Sequence, residues 1–210
     1  TTTVNGCIDD TIIPVNVNTT LFANAGPDVT ICQGDFSTLT ANGGGAYLWS
    51  TTETTQSISV NPANNTTYTV TVDNSGCTDA DDVIVTVNPI PVADAGPPQS
   101  ICQGNSVILT ASGGSSYTWS TFETTQSINI TPVTTTTYFV TATSLGCSSQ
   151  DSVAITVYPN PVASAGNDQI TCSGQSVNLT ASGGVTYLWN TFVANQSINV
   201  NPTVTSLYTV

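Results

Sequence analysis

Six cysteines hold most of the chemistry open to this chain, and they fall into two series. Cys32, Cys102 and Cys172 recur every seventy residues, and so do Cys7, Cys77 and Cys147. Within a repeat the two series stand 45 residues apart, Cys32 before Cys77 and Cys102 before Cys147. Evenly placed cysteines in small units read as disulfides formed in an oxidising compartment. The spacing predicts Cys32 bonded to Cys77 and Cys102 bonded to Cys147, each closing a loop that stabilises by about 4 kcal/mol in the chain-entropy description. Cys7 and Cys172 are then left to pair with adjacent units or chains. Zinc is the competing reading, but two thiols per unit and no histidine fall short of four ligands.

Carboxylates are the second candidate group. Asp79, Asp81 and Asp82 lie within four residues, and Asp9 with Asp10 occupies the matching place one repeat earlier. An oxygen-rich cluster of this kind suits calcium, the one cofactor for which the residues offer ligands. Against it, the third copy of the segment retains only Asp151, as a solvated acidic loop would. Catalysis has less support. No His, Lys or Arg occurs anywhere, so serine and threonine have no activating base and paired carboxylates no partner of tuned pKa. The reading is that the chain is not an enzyme. Thirteen carboxylates without a cation give a net charge of −13, which repels nucleic acid and anionic lipid and offers nothing to hold a phosphate. It also leaves no site for trypsin-like proteases.

The elements that position these groups follow the same period. Trp49, Trp119 and Trp189 recur at that step, as do Tyr68, Tyr138 and Tyr208 and Pro62, Pro132 and Pro202. A period of this length with β-branched composition describes a tandem array of small domains. A unit of seventy residues buries only about 60% of its unfolded surface, so a covalent staple is expected. In the middle repeat, Pro91–Gly96 opens the unit and Ser106–Ala111 alternates apolar and polar. Gly113-Gly114 turns the chain into Tyr117-Thr-Trp-Ser120, whose two aromatics share the core face. Ile128 and Ile130, then Tyr138, Val140 and Ala142, then Val153, Ile155 and Val157 continue the alternation. About seven short strands and no helical period predict an all-β fold of immunoglobulin-like sandwiches.

Paired prolines in Asn88-Pro-Ile-Pro-Val92 and Tyr158-Pro-Asn-Pro-Val162 favour extended linkers. They place the units end to end, in a rod of roughly 100 Å for three domains. The expected boundaries are 22–91 and 92–161 for two complete repeats. Residues 162–210 are a repeat lacking its last strand, and residues 1–21 the terminal strand of a preceding or neighbouring unit. Two explanations stay open: a window of a longer tandem array, or a subunit whose N-terminal strand completes the open domain of the next chain by donor-strand complementation. No apolar run reaches the roughly 20 residues that span a bilayer, and no signal-peptide pattern opens the chain.

The ordered motifs Ala-Gly-x-x-x-x-x-Cys-x-Gly, Leu-Thr-Ala-x-Gly-Gly, Tyr-x-Trp, Thr-Thr-Gln-Ser-Ile, Thr-Tyr-x-Val and Gly-Cys resemble the PKD-like or Ig-like repeats of very large Bacteroidota surface proteins. That group includes gliding-motility adhesins exported by the type IX system. The first repeat departs at Asp35-Phe36-Ser37 and Gly43-Gly44-Gly45, and the third has Val193-Ala194-Asn195 where the others have Glu-Thr-Thr. The resemblance implies a secreted, cell-surface, filamentous or adhesive protein. Asp10-Thr11-Ile12 and Asp151-Ser152-Val153 are similar to the Asp-Ser/Thr-apolar site of O-glycosylation in that group, which makes Thr11 and Ser152 glycosylation candidates beside the plainer reading of exposed strand hydroxyls. Phe122 and Phe192 share a repeat position after the Trp strand and are candidates for lateral contact between array members or for stacking on a sugar ring. The expected function is that of a structural component of an extracellular filament or cell-surface stalk that assembles with itself. The alternative is an adhesion module that binds glycans or a surface through its loops.

Overall fold

The computed structural model describes residues 2–9, 12–13 and 21–210. Among them there is no helix. The chain opens with a hairpin of β1 (Thr2–Val4) and β2 (Cys7–Asp9), which among the described residues pair with each other and with no other strand. These two short strands are what the described residues of the N-terminal piece contain.

The first repeat contributes β3 (Val29–Cys32), β4 (Ser37–Thr40), β5 (Ala46–Trp49), β6 (Ser57–Val60), β7 (Thr66–Asn74) and β8 (Cys77–Asn88). They form a four-stranded sheet in the order β3-β8-β7-β5 and a two-stranded sheet β4-β6. The long β7–β8 hairpin is antiparallel from Thr66↔Val85 to its tip at Asn74↔Cys77, whereas β3 lies parallel to β8 with Val29 opposite Val85 and Cys32 opposite Asn88. The second repeat, β9 (Gln99–Cys102), β10 (Val107–Thr110), β11 (Ser116–Trp119), β12 (Ser127–Ile130), β13 (Thr136–Ser144) and β14 (Cys147–Tyr158), repeats this order as β11-β13-β14-β9 and β10-β12. Each complete repeat is thus a two-layer immunoglobulin-like sandwich of six strands, not seven. The opening segment makes only an isolated bridge, Asn24↔Asn42 or Asp94↔Ser112. Its path runs so close to the following loop that a Cβ on Gly113, at φ +92°, would strike the Val92 carbonyl.

The core lies between the layers. Leu39, Ile58 and Val60 from the small sheet meet Trp49, Tyr68, Val70, Val83 and Val85 from the large one. Alternation explains why: in β6 and β12 the isoleucines and valine face in and Ser or Asn faces out. Each such aliphatic side chain contributes about 1.5–3 kcal/mol by leaving water. Polar groups are handled locally. Each Trp indole N–H donates to a carbonyl six residues on, Trp49 to Thr55 at 3.0 Å and Trp119 to Thr125 at 3.1 Å. The recurrent Gln of Thr-Thr-Gln-Ser-Ile donates to the last residue of Leu-Thr-Ala, Gln56 to the Ala41 carbonyl and Gln126 to that of Ala111. No charged or polar residue among those described is buried. That is the consequence of lacking cations, since a buried carboxylate would have no counter-charge.

The chain divides into two compact units, Thr1–Asp94 with Ser112–Thr118 and Val140–Asp151, and Ala95–Ala111 with Trp119–Phe139 and Ser152–Val210. The seam runs through the second repeat, and the outer half of the β13–β14 hairpin belongs to the first unit.

Burial of Tyr68, reinforced by the negative charge of Glu53, raises its phenol above the usual 10.0. The folded state favours the neutral phenol, so this contribution is complete below pH 10 and is lost as the pH rises through the raised value. With no histidine in the chain, urea midpoints are expected to stay level between about pH 6 and 7.5 and to fall above about pH 10. A slope in the neutral window would contradict this.

A candidate assembly site at the repeat junction

Two turns present the cysteines. Each member of the first series opens a Cys-x-Gly turn in which its carbonyl accepts the N–H three residues on: Asp35 to Cys32 at 2.9 Å, Asn105 to Cys102 at 3.1 Å and Gln175 to Cys172 at 3.0 Å. The glycine of each, Gly34, Gly104 or Gly174, takes the positive φ that such a turn requires. Each member of the second series directly follows a two-residue hairpin tip with both residues at positive φ: Asn5-Gly6 before Cys7, Ser75-Gly76 before Cys77 and Leu145-Gly146 before Cys147. The local presentation of both thiols is therefore the same in every repeat.

The bond that forms joins Cys32 to Cys147, with a Cα separation of 5.6 Å and 115 residues between them. This overturns both expected pairs, Cys32 with Cys77 and Cys102 with Cys147; Cys77 and Cys102 are free and exposed, as are Cys7 and Cys172. The reason lies in strand direction. Because β3 runs parallel to β8, Cys32 sits beside Asn88 at the end of that 12-residue strand, and Cys77 is at its beginning. At about 3.3 Å per residue the two lie some 35 Å apart, far beyond the roughly 7 Å that a disulfide can span. The second repeat has the same register, with Cys102 opposite Tyr158 at the far end of β14 from Cys147. The thiol at hand for Cys32 is the hairpin tip of the following repeat. Asn88 secures that tip, its side-chain amide donating to the Leu145 carbonyl at 2.8 Å while its own carbonyl accepts the Gln33 N–H. Asn88 was read only as the start of the Pro-rich linker, and nothing in the sequence announced its hydrogen bond to Leu145.

The third repeat is open. It retains β15 (Val177–Thr180) and β16 (Ser197–Val200), which pair antiparallel, but has no four-stranded sheet. The expected loss was the last strand alone. The wider loss follows because β8 and β14 are the partners on which both the first strand and the Tyr strand are hung. Residues 169–172 and 207–210 accordingly form no strand. Ala165, Leu179 and Val200 are half-buried where Ala25, Leu39 and Val60 are buried. Together with Val177, Trp189 and Tyr208 they line a groove of about 710 Å³.

The remaining candidates are placed apart from this junction. Asp79 and Asp81 point to the opening segment, their carboxylates accepting the N–H groups of Ala23 and Ala25 at 2.8 Å each. Asp82 lies on the other face of β8, and the described residues contain no group of three acidic, thiol or imidazole side chains placed to hold a metal. Asp81→Ala is expected to cost about 1–3 kcal/mol by orphaning the N–H of fully buried Ala25. Asp81→Asn, which keeps an acceptor, should cost less, and a chelator should leave the wild-type urea midpoint unmoved. A chelator-induced loss would support the calcium reading. Ser152 is part of β14, and Thr11 lies outside the described residues. Phe122 and Phe192 are 90% and 89% exposed on turns where they adopt positive φ, with Thr52 in the same conformation in the first repeat. Nothing among the described residues brings them to the cysteines.

No protein-family model matches the chain, and no curated protein does. Similar solved structures include extracellular domains 3–5 of Drosophila OTK, at 13% identity and TM-score 0.43 over 66% of this chain and 62% of that one. They also include the titin I-band fragment I67–I69, at 13% identity and TM-score 0.43 over 81% and 78%, and the insect immune protein hemolin, at 16% and 0.38 over 64% and 46%. This chain spans less than two thirds of the OTK chain's length. The sandwich is defined by its own sheet order and register, not by these distant likenesses.

Proposed function

We propose that the chain is a structural component of an extracellular filament or cell-surface stalk, of the kind its motifs share with PKD-like and Ig-like repeats of large Bacteroidota surface proteins. The observation that carries this reading is the Cys32–Cys147 bond, which ties one repeat to the next outside the linker that already joins them. Tension passing through Asn88–Val92 then has a second, covalent path, and the linker cannot be drawn out beyond what the bond permits. A disulfide also fits an oxidising compartment outside the cytosol. Absence of Lys and Arg removes the usual trypsin-type cleavage sites and the usual blunting of sheet edges. No catalytic role is assigned.

Electron microscopy of the native material tests this directly. The expected image is a thin beaded filament with an axial step of one or three repeats. A compact, isolated particle under native conditions would end the proposal.

A second reading, glycan or surface binding, draws on the two displayed phenylalanines, because a non-glycine residue held at positive φ costs energy that a function can justify. Binding of a defined sugar on a glycan array, lost in a Phe122→Ser, Phe192→Ser double variant, would establish it.

A further inference from the structure

The joint between Cys32 and Cys147 carries two side chains that the rest of the array does not repeat. After the Cys-x-Gly turn the first repeat has Phe36, where the second and third have Ser106 and Ser176. At the head of the hairpin tip the second repeat has Leu145, where the earlier tips have Asn5 and Ser75. Both stand at this one joint. Phe36, Leu145 and Ile31 line a hollow of about 410 Å³ together with Cys32 and Cys147, all within the first compact unit. Phe36 is 73% and Leu145 68% exposed, so neither belongs to a sandwich core.

Leu145 is also held in a conformation that suits it poorly. Its φ is +51°, in the left-handed region that Asn enters readily and a bulky apolar side chain does not. Backbone strain of this kind persists where the surrounding structure holds it in place, and what surrounds Leu145 is the bond. Its carbonyl accepts the Asn88 side-chain amide at 2.8 Å, and the Sγ of Cys147, two residues on, lies 3.9 Å from the Asn88 carbonyl oxygen. Cys147 is only 2% exposed, whereas Cys7, Cys77, Cys102 and Cys172 are all exposed. The tip is therefore docked as well as tethered.

We infer that Phe36 and Leu145 form an apolar clasp that seats the Cys147 tip against the Cys32 turn before oxidation, so that noncovalent contact selects the partner and the disulfide then fixes it. Asn88 is the polar half of the same clasp. These are positioning residues, acting through the two sulfurs. The inference concerns how Cys32 chooses among the other five cysteines. It goes beyond the filament reading and does not depend on it. The closing step removes two electrons and two protons from the Cys32 and Cys147 thiols, and with oxidised glutathione as oxidant they appear in two glutathione thiols.

The full chain, equilibrated in mixtures of reduced and oxidised glutathione and trapped by acid and alkylation, tests it. Mass spectrometry of unreduced chymotryptic peptides gives the ratio of the Cys32–Cys147 link to glutathione-capped forms, and hence the equilibrium constant for the bond. Phe36→Ser and Leu145→Ser, which place there the residue that other repeats carry, are each expected to lower that constant about fivefold, the effect of losing a partly covered apolar contact. The double variant should fall no further than about tenfold, because the two side chains act on each other. Phe36→Leu and Leu145→Met should stay within about twofold. Phe122→Ser, more exposed still and on a turn away from the joint, should change nothing. Every variant is expected to keep the β-sheet circular dichroism of the reduced chain. An unchanged constant in either serine variant, or effects that simply multiply in the double variant, would overturn the clasp. Beaded filaments with unchanged constants would defeat the clasp and leave the filament standing. The expected constants in a compact, isolated particle would do the reverse.

Discussion

Cys32→Ser is expected to lower the stability of the first unit by about 5 kcal/mol, the chain-entropy value for a closed loop of more than a hundred residues. The estimate applies because the bond closes a loop of 115 residues, and loop length governs how much the unfolded ensemble is restricted. Cys77→Ser in the monomeric chain should stay within about 0.5 kcal/mol, since its thiol is exposed and bonded to nothing there. Urea unfolding followed by tryptophan fluorescence separates the two. Equal losses from Cys32→Ser and Cys77→Ser would return the bond to the interior of one repeat and remove the argument for a linked junction. Chemical reduction of the wild type should reproduce the Cys32→Ser midpoint, because both routes delete the same constraint.

Trp119→Ala should cost about 3–5 kcal/mol, the range for emptying a large aromatic site in a packed core. Trp119 is fully buried, and its indole N–H donates to the Thr125 carbonyl. Trp119→Phe keeps most of the volume but orphans that carbonyl, so a loss of about 1–3 kcal/mol is expected. Trp189→Ala should cost less than Trp119→Ala. Trp189 shares its cluster with only two other buried residues, Ala181 and Ile198, around a groove already open to water. The measurement is again a denaturant midpoint for each variant. A Trp119→Ala cost below about 1 kcal/mol would mean that the sandwich core does not rest on this residue.

Much of this architecture was legible before any coordinates. The alternation in Ser127–Ile130 placed Ile128 and Ile130 on the core face, and both are buried. Tyr117-Thr-Trp-Ser120 put its aromatics inward, and Trp119 is among the largest fully buried side chains. Gly113-Gly114 read as a turn, and the chain bends there with Gly113 at positive φ. These readings succeeded because side-chain periodicity and turn chemistry depend on neighbours a few residues away. The seventh strand did not form: the opening segment makes an isolated bridge to its neighbour and takes side-chain hydrogen bonds from the last strand, Asp79 and Asp81 in the first repeat and Ser149 in the second. Nor does any local pattern announce how Asp79 and Asp81 are used: they alternate along β8 to reach backbone N–H groups 56 residues away.

The amino-acid sequence by itself determined that this is a cation-free array of small β-sandwiches, where its core tryptophans lie and which turns carry its six thiols. It did not determine which thiols meet. That choice rests on whether the first strand of a repeat runs with or against the last one, a single bit of topology set by contacts more than fifty residues apart. Running parallel, β3 carries Cys32 to the far end of β8, away from the cysteine of its own repeat and up to that of the next. A staple that spacing assigned to the inside of each domain thereby becomes a bond between domains.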